Sequence, residues 1–171
     1  TRQSTPLGLA DAVKHAREFA GDEHFVVELG DSIIKNMDGS SFLRTMVEAH
    51  LHSDAGCTLA VEEVDPSDAF RYGIVKPVEG ADVSRVFEVE DLIEKPQTGT
   101  APSNLAIAAR YVFSPELFEA INRTAPDRQG ELQLTDSIRL LKQLGHSIQA
   151  VCLRRGERRY DIGNFESYFK A

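Results

Sequence analysis

Short apolar runs that stop at a glycine or an acidic residue alternate along this chain with stretches of helical period, and that alternation leaves few folds open. Phe25-Val26-Val27-Glu28-Leu29 is nearly continuous in apolar residues and ends in Gly30-Asp31, the pattern of a strand buried on both faces. Segments 58–64, 72–75 and 105–113 read as further strands, 86–89 and 92–94 as two short ones, and 148–153 and 160–162 as the last. Leu9, Ala12, Val13, Ala16 and Phe19 recur at helical spacing over 8–20, as do Phe42, Leu43, Met46, Val47 and Leu51 over 40–52. Further helices are expected over 115–122 with Ser114 as N-cap, over 134–144 capped by Thr135 or Asp136 and ended by Gly145, and over 165–171. The pattern predicts one α/β unit whose sheet is covered by helices on both faces.

Charge narrows the function. Lys and Arg number 19 against 27 Asp and Glu, a net charge of −8. A nucleic-acid binder would show a basic face instead, and nothing supports a membrane-surface role. No apolar run reaches the length of a membrane span and no signal peptide opens the chain. Cys57 and Cys152 each sit in an apolar run and read as buried free thiols, which fits a reducing cytoplasm. The chain opens at Thr1 without a methionine.

Open α/β sheets bind ligands beyond the carboxyl ends of their strands. Asp31 and Asp161 both follow apolar strands, with Gly30 and Gly163 beside them. Two such carboxylates brought together would hold a hard divalent cation such as Mg²⁺, completed by substrate phosphates. Taken singly, each is equally a strand-end aspartate. In Glu94-Lys95-Pro96 a carboxylate able to bond sugar hydroxyls stands beside an ammonium able to neutralise phosphate. Neighbours on a strand point to opposite faces, so both can act together only if the strand ends there, as Pro96 suggests. Gln3 has an amide that could pair with a pyrimidine, five residues before Gly8, and Gly73 opens a strand where close approach is allowed. A polar loop and a plain bulge are the alternatives. His50 and His52 do not share a helical face. His15, His24 and His146 read as solvated, and Arg154, Arg155, Arg158 and Arg159 read as an exposed basic turn, with phosphate binding as the alternative.

In order, Gln3…Gly8-Leu9-Ala10-Asp11-Ala12-Val13, Leu29-Gly30-Asp31, Tyr72-Gly73-Ile74-Val75, Glu94-Lys95-Pro96, Ala101-Pro102-Ser103-Asn104-Leu105-Ala106-Ile107, Gly130-Glu131-Leu132-Gln133-Leu134-Thr135-Asp136 and Tyr160-Asp161-Ile162-Gly163 resemble the bacterial UTP–glucose-1-phosphate uridylyltransferases. These belong to the sugar-phosphate nucleotidylyltransferases. The resemblance covers nearly the whole chain and implies a Rossmann-like, mainly parallel mixed sheet in one domain, 1–171. It also implies that the family's amino-terminal strand and glycine-rich phosphate loop are missing from this stretch.

By the same resemblance, Gln3 and Gly8 recognise uracil, Gly73 and Glu94 hold glucose hydroxyls, Lys95 holds the sugar phosphate, and Asp31 and Asp161 hold Mg²⁺. The substrates would be UTP and glucose 1-phosphate, the products UDP-glucose and pyrophosphate. Ala10, Asp11 and Ser32 depart from the family pattern and leave base identity less defined than reaction class. A thymidylyltransferase and a non-catalytic sugar-nucleotide-binding domain are the rival readings. A sheet lacking a neighbouring strand exposes an edge, which predicts association with a second copy.

Overall fold

The computed structural model describes residues 2–37 and 39–170, with only the backbone of Lys170. The elements run α1 (Leu9–Lys14), α2 (Arg17–Ala20), β1 (Phe25–Glu28), β2 (Ser32–Asn36), α3 (Phe42–Ser53), β3 (Cys57–Glu63) and a 3-10 turn at Pro66–Arg71. Then follow β4 (Gly73–Pro77), β5 (Val86–Glu94), β6 (Leu105–Phe113), α4 (Leu117–Arg123), α5 (Leu134–Gln143), β7 (Ile148–Cys152), β8 (Glu157–Asp161) and α6 (Phe165–Lys170). The expected end of the last helix at Ala171 lies outside the described residues.

Six strands form the main sheet in the order β1-β6-β3-β7-β5-β4, with β4 returning to touch β6 where Ile74 faces Ala106. β1, β3, β4 and β7 share one direction, and β5 and β6 oppose them. The mainly parallel orientation holds in that sense, although only β3 and β7 are parallel neighbours among the described residues. A parallel neighbour needs a crossover, which α4 and α5 supply ahead of β7, whereas the short link between β4 and β5 forces an antiparallel hairpin. Alternate residues serve two cores. Cys57, Leu59 and Val61 of β3 and Ile148 and Ala150 of β7 pack with Leu117, Ile121, Ile138 and Leu141 on one face. Ala60, Ala108, Val112 and Val151 meet Phe42 and Met46 of α3 on the other.

Several local expectations need correction. The helix expected over 8–20 is two pieces, broken where the Ala16 N–H turns back to Val13 O at 2.9 Å. The two short strands expected over 86–94 are one, because Glu88 and Glu90 face solvent while Phe87, Val89 and Leu92 are buried. Ser114 is not the N-cap of α4. Its backbone N–H is tied to Gly56 O and the helix begins later. Neither Thr135 nor Asp136 caps α5, whose N-cap is Gln133. β2 was not anticipated. It pairs with β8 in a separate two-stranded ladder.

On α3 the buried stripe is Phe42, Met46 and His50, one residue every four, while Leu51 is exposed. His50 thus enters the core by continuing an apolar face. Its Nδ1 lies 2.9 Å from Thr58 Oγ1 and its Nε2 lies 2.8 Å from His24 Nδ1. Gln149 Nε2 donates to Thr58 Oγ1 at 2.9 Å. Both ring nitrogens of His50 are thus engaged, one by the Thr58 hydroxyl and one by exposed His24. Burial first and neighbouring His24 second lower the His50 pKa to about 4, against a smaller opposing pull from Asp54. The unfolded chain binds this proton near pH 6.5, so His50 stabilises the fold above that pH and loses the contribution as pH falls toward 4. Between pH 7.5 and pH 4.5 the loss at this residue should be about 2.5 kcal/mol. Urea unfolding of the parent and of His50→Gln at both pH values should show a smaller acid destabilisation in the variant.

The β3–β6 ladder slips between Leu59 and Val61, where β6 carries extra residues around Ala109. Ala109 absorbs the bulge with φ 57°, a left-handed value for a residue with a Cβ. β-branched residues favour ordinary strands, but they tolerate positive φ worst. Ala109→Val should therefore lower stability by about 2 kcal/mol and Ala109→Gly should not, as read from thermal melting.

Candidate active site

One cleft of about 370 Å³ gathers most of the residues that the sequence singles out. Asp31, Gly73, Glu94, Lys95 and Asp161 line it, together with Arg71, Tyr72, Ala109, Tyr111, Thr135 and Arg159. Three local devices bring them together.

The first is the ladder between β2 and β8. β1 ends at Glu28, the chain turns through Leu29-Gly30-Asp31, and β2 opens at Ser32 opposite Asp161. Ile162 N–H then donates to Asp31 O at 2.8 Å. Both carboxylates aim over the exposed backbone of Gly163: a Cβ there would lie 3.3 Å from Asp31 Oδ2 and 3.4 Å from Asp161 Oδ1. Asp161 is braced by Gly163 N–H at 2.9 Å and the Ser167 hydroxyl at 3.2 Å.

The second is the end of β5. Glu94 stands opposite Gly73. Its Oε2 accepts the Thr135 hydroxyl at 2.6 Å, so the threonine expected to cap a helix orients this carboxylate. A Cβ on Gly73 would come within 3.0 Å of the same oxygen and of Ile107 Cδ1, so glycine keeps that wall clear. Lys95 leaves the strand at φ 43°, and its N–H bonds Tyr72 O at 3.1 Å. That left-handed turn removes the opposite-face objection, since it lets consecutive residues line one cleft. No carboxylate lies within ion-pairing distance of Lys95 among the described residues.

The third is an inward arginine. Arg154, Arg155 and Arg158 are exposed as expected, but Arg159 turns into the cleft and pairs with Glu62 at 2.5 Å. Burial opposes its charge, yet Glu62 and contact with Tyr72 hold its pKa above the ordinary arginine value. Its guanidinium lies 5.5 Å from the Tyr72 ring centroid, and that of Arg71 lies 5.8 Å from it. Burial, followed by Glu94, Cys57 and Asp31, raises the Tyr111 pKa, so the floor of the cleft is an un-ionised phenol.

Gln3 and Gly8 do not line this cleft. Gln3 Nε2 donates to Asp11 Oδ2 at 2.6 Å and to Gly8 O at 3.3 Å. Gly8 has φ 96°, and a Cβ there would stand 2.5 Å from Leu132 O and 2.6 Å from Leu132 N. Glycine is required at that position by the backbone of the Gly130–Asp136 block, whatever else it does. The Ser103 hydroxyl, in the Ala-Pro-Ser-Asn block, donates to Val75 O at 2.6 Å and accepts Leu105 N–H at 3.0 Å, lacing β6 to β4.

The donor set suits a hard cation. Two converging carboxylates offer oxygen only. Since the described residues hold no group of three or more His, Cys, Asp or Glu able to bind a metal, further ligands would come from water or phosphate. Mg²⁺ takes one or two carboxylates and fills its octahedron with water and phosphate oxygens.

A family model described as nucleotidyl transferase matches residues 1–171. A UTP–glucose-1-phosphate uridylyltransferase of Pseudomonas aeruginosa is 38% identical over 173 residues, covering 100% of this chain and 59% of the relative. One from Staphylococcus saprophyticus is 37% identical over 169 residues, covering 99% of this chain and 56% of its own length. The chain therefore spans less than two thirds of these relatives. A UDP-glucose pyrophosphorylase solved with UDP-glucose superposes with a TM-score of 0.90 at 31% identity, covering 99% of this chain and 62% of that one. A UTP-bound enzyme of the same kind from Acinetobacter baumannii gives 0.87 at 30%, covering 99% and 56%. The chain belongs to the nucleotidyl transferase family.

Proposed function

We propose that this chain carries the sugar-nucleotide and metal-binding part of a uridylyltransferase that makes UDP-glucose and pyrophosphate from UTP and glucose 1-phosphate. The observation that supports this best is the convergence of Asp31 and Asp161 in one cleft with Glu94 and Lys95. Glu94, with one oxygen held by Thr135, has its other oxygen to accept glucose hydroxyls, and Gly73 leaves room beside it. Lys95, with no carboxylate partner among the described residues, neutralises the sugar phosphate. Asp31 and Asp161 hold Mg²⁺, which when bound supplies divalent charge to the phosphate oxygens.

Gln3 and Gly8 take the uracil at the end of α1, where Leu9 reaches the cleft wall. For this the Gln3 amide exchanges Asp11 for the base. In the reaction a phosphate oxygen of glucose 1-phosphate bonds to the α-phosphorus of UTP. The bond from that phosphorus to the bridging oxygen breaks, and its electron pair leaves with pyrophosphate. Positioning and charge neutralisation supply the catalysis, without a covalent enzyme intermediate.

Two of the three lining cations are already paired, Arg159 with Glu62 and Arg71 with Asp68. Neutralising a departing pyrophosphate calls for more positive charge than Lys95 alone, and the reading assigns that charge to a glycine-rich loop outside these 171 residues. A cytoplasmic setting accords with both cysteines being buried free thiols and with no described helix being long and apolar enough to cross a membrane.

Calorimetry with UDP-glucose tests the reading. Mg²⁺ should tighten binding by about tenfold, and Asp31→Asn should abolish that gain. Lys95→Ala should weaken binding with or without Mg²⁺. An unchanged Mg²⁺ gain in Asp31→Asn would remove this residue from the metal site. Pyrophosphate release from UTP and glucose 1-phosphate should be far slower for residues 1–171 than for a chain extended by the amino-terminal segment of a relative. An inactive extended chain would favour a non-catalytic binding domain.

A further inference from the structure

The turn that presents Asp31 is closed by one hydrogen bond of its own, Ser32 N–H to Leu29 O at 3.2 Å. A Cβ at Gly30 would meet nothing within 4 Å, so the turn is open on that side. Asp31 is exposed. Beyond that bond and the one from Ile162 N–H to Asp31 O, the turn is held from beneath. Arg110 of β6 is 9% exposed, and its guanidinium reaches three residues of the segment. Nε pairs with Glu28 Oε1 at 2.6 Å, Nη1 donates to Leu29 O at 3.2 Å, and Nη2 donates to Ser32 O at 2.6 Å. Nη1 also donates to Ala109 O at 3.0 Å, the carbonyl that accepts Leu29 N–H at 3.2 Å. The bulge at Ala109 thus places that carbonyl and the arginine to grip both sides of Asp31.

We propose that Arg110 is a positioning residue that sets where Asp31 stands relative to Asp161, and hence how well the pair holds a divalent cation. The inference depends on the reading of Asp31 and Asp161 as cation ligands. Two carboxylates left to themselves move apart or share a proton. A planar fork fixed to the Leu29 and Ser32 carbonyls resists that movement. A lysine cannot imitate it, because its donors radiate from one nitrogen.

The test uses Arg110→Lys, with Mn²⁺ binding read by electron paramagnetic resonance and UDP-glucose binding read by calorimetry in EDTA and in Mg²⁺. Arg110→Lys should keep its UDP-glucose affinity in EDTA within about twofold of the parent. It should lose about tenfold in Mn²⁺ affinity and in the Mg²⁺-dependent gain. An arginine with a merely structural role would lower the melting temperature and leave the Mg²⁺ gain intact, and that result would overturn the proposal. If Arg110→Lys does not fold, Glu28→Gln, which loosens the fork from its half-exposed side, should weaken Mn²⁺ binding about threefold; unchanged binding would overturn the proposal. If Asp31→Asn leaves the gain intact, the metal reading falls and this inference with it. If Asp31→Asn removes the gain and Arg110→Lys does not, only the role of Arg110 falls.

Discussion

Two carboxylates aimed at one point repel, and the rest of the site is organised around making that arrangement persist. Asp31 and Asp161 come from segments far apart in the chain, joined by the short β2–β8 ladder whose register sets Asp161 opposite Ser32. The ladder alone fixes backbones. The Arg110 fork lies under the Asp31 turn, and the Gly163 and Ser167 donors bond the Asp161 carboxylate. The two-stranded ladder is therefore the element on which the cleft depends most, although it contributes little to either core.

Strain is concentrated at the same place. Three described residues other than glycine have positive φ: Asp54, at the end of α3, and Lys95 and Ala109, which both line the cleft. Each of the latter pair solves a geometric problem that an ordinary strand cannot. Lys95 must share a side with its neighbour Glu94, and Ala109 must turn its carbonyl toward Leu29. Backbone held in a sparsely populated region persists only when its surroundings over-determine it. Here the Lys95 N–H bond to Tyr72 and the bonds to Ala109 O do so.

How much of this was legible in the sequence differs by residue. β3, β6 and β7 announce themselves as apolar runs because burial on both faces leaves little room for polar residues. β1 reads the same way, although its Val26 and Glu28 are exposed and only one face is covered. Asp31, Glu94, Lys95 and Asp161 stand at strand ends, where loops of an α/β sheet gather, so their convergence could be anticipated. β2 could not, because Ser32-Ile33-Ile34-Lys35-Asn36 is short and half polar, and it exists only through its partner β8. In the sequence His50 is weighed only as a metal partner of His52, yet its spacing from Phe42 and Met46 is a usable signal of burial. Arg159 was lost among four arginines, since nothing local reveals that it meets Glu62 and Tyr72 across the fold. Thr135 looked like a cap because threonine before a helical run usually is one; its partner Glu94 lies 41 residues away in sequence. Gly8 shows the opposite case, where a motif glycine is explained first by the Leu132 backbone pressed against it.

The central claim is that Asp31 and Asp161 together hold a divalent cation beside a sugar nucleotide seated on Glu94 and Lys95. The most direct measurement is a crystal structure of the chain grown with Mn²⁺ and UDP-glucose, located by the manganese anomalous signal. The account predicts one strong peak within about 2.2 Å of an oxygen from each aspartate, with the ligand's phosphates completing the shell and its glucose against Glu94. An ordered sugar nucleotide with manganese bound away from either aspartate, or a sugar seated away from Glu94, would contradict it.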